Sequence, residues 1–416
     1  MVRLALDQAP LPEGPGRFLR SVPAWGALAG LMLMAQGPTL LLSRWSPATV
    51  ALVHVFTLGV LGNAMVGSLL QFLPAAAGVR LRGGPRLPWV LHALLNAGTV
   101  ALVAGFQLPS ATGRTAGAVL LGATFLVLAA ASLPELLARA RCSLLHAGIV
   151  LSLLAALATV ALGCLLVAAI AGRVALSIPR WTNLHAAVGV LGWVLGLVAA
   201  VGRVVMPMFQ GAPEVPARLQ AGWLAALALG LTVAGVLAAG TGVDLPLRVL
   251  ASAAALSLAG GGLWLQSRSR KSAPGELARF WRFGFLALAA AGALLLVPGE
   301  HSLLVGVLGL GVGLPMLVLG MLLEIAAFLG WIALHRRCGR GLQLPGVQVL
   351  LPASRRRIVR RCFALAGLAL VAAALWPPAF ARLAGALLLA ANLSLAWALA
   401  GVGRGVREFT AAHPAR

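Results

Sequence analysis

Three short stretches of the chain place a histidine ahead of the same run of small apolar residues. The stretches are HVFTLGVLG (54–62), HAAVGVLG (185–192) and HSLLVGVLG (301–309). A neutral imidazole is the commonest transition-metal ligand in proteins and an axial ligand of haem iron. Because Gly-Val-Leu-Gly follows each histidine after three or four residues, the repeated pattern predicts a metal or haem site. Its candidate ligands are His54, His185 and His301.

The same pattern has a structural alternative. A histidine near the end of a membrane helix often lies at the interface, where headgroups or water bond its ring. Gly-Val-Leu-Gly by itself is weak, since small residues are common wherever helices pack closely. A histidine precedes Gly-Val-Leu-Gly at nearly the same spacing in all three copies, and this regularity favours a metal or haem site.

The composition indicates a helical membrane protein. Hydrophobic residues make up 61% of the chain, charged residues 10%, and mean hydropathy is +0.98, whereas an ordinary soluble domain is about 25% charged. Apolar runs of about 20 residues, long enough to cross a bilayer, recur from end to end. The formal net charge of +23 resides in the short gaps between these runs. We therefore expect contact with the lipid bilayer and no binding of nucleic acid.

Twelve membrane helices are predicted in a single membrane domain, 1–416. A tail at 1–23 precedes helices 1–4 (24–138), helices 5–8 (142–265) and helices 9–12 (280–401), and a tail at 402–416 follows. The spacing of the histidines, 131 and 116 residues, suits three repeated four-helix units. The predicted helices are 24–43, 47–73, 87–107, 115–138, 142–171, 181–208, 220–240, 246–265, 280–297, 301–334, 358–376 and 379–401.

The basic residues predict the orientation. With the N-terminus in the cytoplasm, 26 of the 32 lysines and arginines fall on the cytoplasmic side, as the positive-inside rule requires. Both termini are then cytoplasmic. Helices 2, 6 and 10 run inward from the outer face, so their three histidines form one layer near that face. His92 and His146 fall toward the other face.

Glu324 and Arg203 are the other intramembrane polar residues of interest. A carboxylate within a membrane helix is a functional candidate, for proton movement or cation binding. The alternative is that Glu324 pairs with a nearby arginine. Pro315 lies midway along helix 10 and should distort it, because proline has no backbone donor. A secondary transporter with its site near Glu324 and this distortion is therefore a second functional hypothesis.

The pattern resembles a known family in its topology. Twelve helices with histidines near the outer ends of helices 2, 6 and 10 look like subunit I of the haem–copper oxidases. They also resemble the smaller NnrS-type haem- and copper-containing membrane proteins associated with the response to nitric oxide. The stretches WTNLHAAVGVLGWVLGLVAAVGRVVMPMFQ (181–210) and GMLLEIAAFLGWIALHRR (320–337) are similar to segments of bacterial proteins of this group.

The resemblance implies a cofactor site. His54 and His301 match the places of two low-spin haem ligands, which suggests a bis-histidine haem b, and His185 matches a copper ligand. The chain departs from the oxidases in having no tyrosine, no histidine in 220–240 and none in 302–334. We therefore expect haem or copper and a redox or nitric-oxide-linked role, without complete oxygen reduction. The electron-transfer partner is not indicated, and a cofactor-free membrane scaffold is a third hypothesis.

Overall fold

The computed structural model describes residues 10–338 and 342–413, and the described chain is helical throughout, without strands. It confirms twelve helices long and apolar enough to cross a membrane. They are α1 (Glu13–Leu41), α2 (Pro47–Ala75), α3 (Gly84–Gln107), α4 (Ala111–Ala140), α5 (Leu144–Ile170), α6 (Ile178–Gln210), α7 (Ala217–Thr241), α8 (Leu245–Ser267), α9 (Glu276–Leu294), α10 (Ser302–Arg337), α11 (Ala353–Leu375) and α12 (Pro377–Ala412).

The first and last helices extend beyond their predicted ends. The helix of α1 begins at Glu13, within the stretch expected to be a tail, and α12 continues to Ala412 instead of ending near residue 401. Hydropathy finds only the apolar part of a helix, whereas the backbone continues as a helix into polar sequence. Arg17 is one such polar position on α1, and its guanidinium lies 2.8 Å from the centre of the Trp89 ring of α3, a cation–π contact.

Local signals set where α2 and α6 begin. The Ser46 hydroxyl accepts a hydrogen bond from the Thr49 amide at 3.1 Å, and Pro47 is the first helical residue of α2. Serine before a proline start satisfies an otherwise unpaired amide. Ser177 also precedes α6, with Pro179 in the first turn, but its side chain makes no capping hydrogen bond. Both starts place a histidine seven residues into the helix.

Each histidine motif contains a π-helical segment. The segments are Val55–Gly62 in α2, Val188–Leu195 in α6 and Val307–Gly313 in α10. A π turn inserts an extra residue, is rare, and is frequent at functional sites. Pro315, predicted to distort helix 10, follows the third segment by two residues, so the departure from α geometry lies just before the proline.

Helices adjacent in sequence pack as antiparallel neighbours, and α12 packs on α1 to join the two ends of the chain. Two glycines allow this contact. A side chain added at Gly30 would lie 2.7 Å from the Gly385 carbonyl oxygen, and one added at Gly385 would lie 2.7 Å from the Gly30 carbonyl oxygen. Small residues at facing positions let membrane helices approach this closely. α2 also packs on α10, which brings two of the motif-bearing helices together.

Candidate functional site

The structure brings together the histidines of the first two motifs. The imidazole centroids of His54 on α2 and His185 on α6 are 6.4 Å apart, with 28° between the ring planes. The two residues are 131 positions apart in sequence. Their approach follows from the equal placing of each histidine in its helix, because both helices start at the same end of the bundle.

Both rings are held through the same nitrogen. His54 Nδ1–H donates to the Val50 carbonyl at 2.8 Å, and His185 Nδ1–H donates to the Thr159 carbonyl of α5 at 3.0 Å. The hydrogen bond of one ring nitrogen decides which nitrogen is left as the electron-pair donor. A donated Nδ1–H leaves Nε2 as the free donor atom in both histidines, and backbone carbonyls are typical outer partners of metal-binding histidine.

Two neighbouring residues define the surroundings of the pair. The Phe106 ring of α3 stacks on His54 with 5.9 Å between centroids and 19° between planes. On the other side, a side chain added at Gly163 of α5 would lie 3.3 Å from His185 Cε1. The absence of a side chain at Gly163 therefore lets the His185 ring lie against the α5 backbone.

The separation of the rings is compatible with two imidazole ligands of one metal. Two metal–nitrogen bonds of about 2 Å each, plus half a ring at either end, put the centroids of such a pair about 6 Å apart. The observed 6.4 Å fits this distance. In residues 10–338 and 342–413, no cluster of three or more His, Cys, Asp or Glu is arranged to hold a metal ion. Two imidazoles at this separation could be ligands of a haem iron or a copper ion.

The structure places the third histidine differently. α10 begins at Ser302, so His301 precedes the helix, and its Nε2–H donates to the Pro298 carbonyl at 3.1 Å in an exposed position. Among the described residues, its ring contacts neither His54 nor His185. The pairing of His54 with His301 across a haem, expected from the family resemblance, therefore has no counterpart in this geometry. His54 has His185 as its neighbour instead.

A polar network lies at the same end of the bundle. Arg44, in the loop before α2, donates to the Asn183 side-chain carbonyl at 2.9 Å, and Asn183 donates to the Asp244 carboxylate at 2.6 Å. Burial lowers the pKa of Arg44 below its usual value, and the carboxylates of Glu300 and Asp244 act in the opposite direction. Since Asn183 is on α6 and Glu300 precedes α10, the starts of α2, α6 and α10 lie at one end.

The motif glycines serve helix packing in the first two copies. A side chain added at Gly59 would lie 2.6 Å from the Trp25 ring of α1, and one added at Gly192 would lie 2.6 Å from Ala155 Cβ of α5. Neighbouring helices therefore occupy the space beside these two glycines.

The other two predicted polar residues have structural partners. Arg356 at the start of α11 donates to the Glu324 carboxylate of α10 at 2.6 Å, and both side chains are buried. Arg203 of α6 donates to the Val215 carbonyl at 2.7 Å and to the Gln220 side-chain oxygen at 2.8 Å. The arginine pairing considered for Glu324 is therefore present, and Arg203 fixes the segment that joins α6 to α7.

Sequence reasoning missed the signal that separates the three histidines. A helix-start signal, Ser-Pro or Ser-Ile-Pro, precedes the first two histidines by about two turns. In the third copy, Pro298 and Gly299 lie three and two residues before the histidine, and Gly299 has a φ of 116°, which only glycine adopts easily. The connection from α9 therefore continues as far as His301, and the helix of α10 begins only after the histidine. Position within the helix, which the motif does not encode, decides which imidazoles meet.

Comparison with known protein families finds no family that matches the chain, and comparison with curated proteins finds no similar sequence.

Proposed function

We propose that this chain is an integral membrane protein of a bacterial inner membrane that binds haem or copper between His54 and His185. Its role would be redox or nitric-oxide-linked, as in the NnrS-type proteins that the sequence resembles. The bound iron or copper would supply one-electron chemistry or binding of a small gas. The proposal names the first two motif histidines as ligands, in place of a pair formed by His54 and His301.

The proposal is supported by two observations: the two imidazoles are in the same tautomer, and they lie close together. Each imidazole donates Nδ1–H to a backbone carbonyl, and the two ring centroids are 6.4 Å apart. An interfacial histidine bonded to headgroups needs neither a fixed tautomer nor a second imidazole at this distance. Fixing the ring in advance lowers the entropy cost of binding a ligand.

The surrounding residues have separable roles. The carbonyls of Val50 and Thr159 fix the tautomers, and Phe106 limits the rotation of His54. Gly163 gives His185 its place against α5. Arg44, joined to α6 through Asn183, would hold the start of α6 in place.

Visible spectroscopy and metal analysis of the purified protein, produced with haem and copper supplied, test the proposal. We expect a Soret band or stoichiometric copper, and the two outcomes distinguish the cofactors. Both His54→Ala and His185→Ala should abolish the signal, because a single imidazole is a poor site.

His301→Ala and His92→Ala are the controls and should keep the signal. His92 has its own partner, the Ser21 hydroxyl, at 2.9 Å. Absence of both cofactors from the wild-type protein would overturn the proposal. Loss of the signal in His301→Ala with retention in His185→Ala would restore the pairing implied by the oxidases.

A transporter centred on Glu324 has less support from the contacts. A carboxylate that carries protons or cations needs access to them, whereas the Glu324 side chain is 9% exposed and bonded to Arg356. Such a buried pair holds its charge in place because breaking it leaves an uncompensated ion.

A further inference from the structure

A second site is formed at the opposite end of the motif helices. A cavity of about 240 Å³ lies between α2, α6, α9 and α10, and its walls are almost wholly apolar. Gln71, on its α2 wall, is seventeen residues beyond His54, or about 25 Å at the rise of an α-helix. The cavity is therefore separate from the histidine pair, and the inference drawn from it does not depend on haem or copper.

Aromatic side chains from all four helices line the cavity. They are Phe72 of α2, Phe209 of α6, Trp281 of α9 and Phe328 of α10. The Trp281 ring is fixed because its indole N–H donates to the Leu317 carbonyl at 3.0 Å. Aromatic faces pack favourably on other flat rings. Walls of this kind favour a ring-containing ligand over a saturated chain.

The α2 wall also carries an unpaired amide. Gln71 is 4% exposed, and neither its Nε2 nor its Oε1 has a hydrogen-bond partner among the described residues. Leaving a buried polar group unpaired is unfavourable, because the group has lost its hydrogen bonds to water. Gln71 lines the cavity, and its amide would meet a ligand there after a change of side-chain rotamer.

Ser68 adds a second polar group on the same wall. It lies three residues before Gln71, hence on the same helix face, and it also lines the cavity. Within the described residues, its hydroxyl has no hydrogen-bond partner, so the one polar strip of the cavity is formed by neighbouring positions of α2.

We propose that this cavity binds a membrane-soluble molecule whose flat ring bears a carbonyl or hydroxyl group, the chemistry of quinones and quinols. The ring lies among the four aromatic side chains, and Gln71 hydrogen-bonds its oxygen. An apolar cavity of about 150 Å³ is enough for benzene, so about 240 Å³ accommodates a substituted ring. Met208, 43% exposed, lies on the rim, where an apolar tail would pass into the bilayer.

The test compares two probes on the full chain in lipid nanodiscs by titration calorimetry. One probe is a decyl-substituted benzoquinone, and the other is decylbenzene, which has the same tail and a ring without oxygen. We expect the benzoquinone to bind at least tenfold more tightly to the wild-type protein. Equal binding of the two probes would make this a pocket for lipid chains and would overturn the proposal. The comparison needs no variant.

Substitutions then locate the polar contact. Gln71→Met keeps the length of the side chain and removes its amide, so the preference for the benzoquinone should fall below threefold. Gln107→Leu is the matched control. Among the described residues, the amide nitrogen of Gln107 is also buried and unpaired, but Gln107 lies at the end of α3 and does not line the cavity. Retained preference in Gln71→Met, or lost preference in Gln107→Leu, would contradict the assignment. Val201→Phe, which fills the cavity from α6, should weaken both probes.

Discussion

The first and third histidine motifs share their sequence pattern and their π-helical backbone, yet their surroundings differ. In the first motif, His54 lies two turns into α2, uses Nδ1 for its backbone hydrogen bond and faces a second imidazole. In the third, His301 precedes α10 and uses Nε2 for a bond to the Pro298 carbonyl. Nε2 is therefore the nitrogen left free by the backbone hydrogen bond of His54, whereas in His301 Nε2 itself forms that bond.

The glycines differ in the same way. Gly59, the first glycine of the first motif, contacts the Trp25 ring so closely that no side chain fits, whereas Gly306, its counterpart in the third motif, has no atom within 4 Å of an added Cβ. The local sequence therefore determines the backbone of the motif, and the neighbouring helices determine what the motif does. This comparison can be tested by substitution.

The largest loss of stability is expected at the Arg356–Glu324 ion pair, which joins α10 to α11 far from the third histidine motif. Arg356→Met leaves the Glu324 carboxylate buried without a partner, which should lower the free energy of unfolding by about 3–5 kcal/mol. Thermal unfolding in detergent measures it. Arg139→Met, at the more exposed Arg139–Glu135 pair, is the control and should cost no more than about 1 kcal/mol. If both substitutions lower the free energy of unfolding equally, the Arg356–Glu324 ion pair does not stabilise α10 more than an exposed pair would.

The matched glycines give the next largest effect. Gly59→Ala places a methyl group 2.6 Å from the Trp25 ring, and Trp25 cannot easily move because its indole N–H donates to Asn96 at 2.7 Å. Overpacking of this kind costs about 1–3 kcal/mol. Gly306→Ala should be neutral or stabilising by up to about 1 kcal/mol, since alanine favours a helix over glycine. Equal destabilisation by the two substitutions in a thermal melt would contradict the difference in packing.

The smallest effect concerns the ring that stacks on His54. Phe106→Leu removes a stacked aromatic contact worth about 0.5–1.5 kcal/mol, so the cofactor should dissociate several-fold faster in a competition assay while its spectrum is retained. Phe380→Leu removes an edge-to-face aromatic contact with Trp376, 6.1 Å between centroids and remote from the histidine pair in sequence, and should leave cofactor release unchanged. An unchanged release rate in Phe106→Leu would show that the stacking does not support the site.

Much of the fold could be predicted because the bilayer imposes a length and a composition on each helix. All twelve helices were found in this way, and their errors are confined to ends such as Glu13 and Ala412, where a helix continues into polar sequence. The π-helical segments were not predicted. Glycine-rich sequence weakens α-helical preference, but the side-chain bonds that stabilise such a segment, as from Asn63 to the Gly59 carbonyl at 3.0 Å, form only in the folded helix.

The candidate site was predictable in its residue types and only partly in its pairing. The histidine motifs identified His54, His185 and His301, and the spacing of charges indicated that their helices start at one face. Which imidazoles meet depends on the start of each helix, set by Ser46 and Pro47 for α2. The Gln71 cavity could not be predicted, because an unpaired amide is visible only when every neighbouring group is in place.

The sequence by itself determined the class of this protein, its twelve membrane helices and the three histidines that could bind a metal, because hydropathy and residue type are local properties. Tertiary structure alone decided that His54 lies beside His185, that Glu324 forms an ion pair with Arg356 and that Gln71 has no hydrogen-bond partner among the described residues. Each of these facts is a distance between helices far apart in the chain, and such distances follow from packing that no single segment encodes.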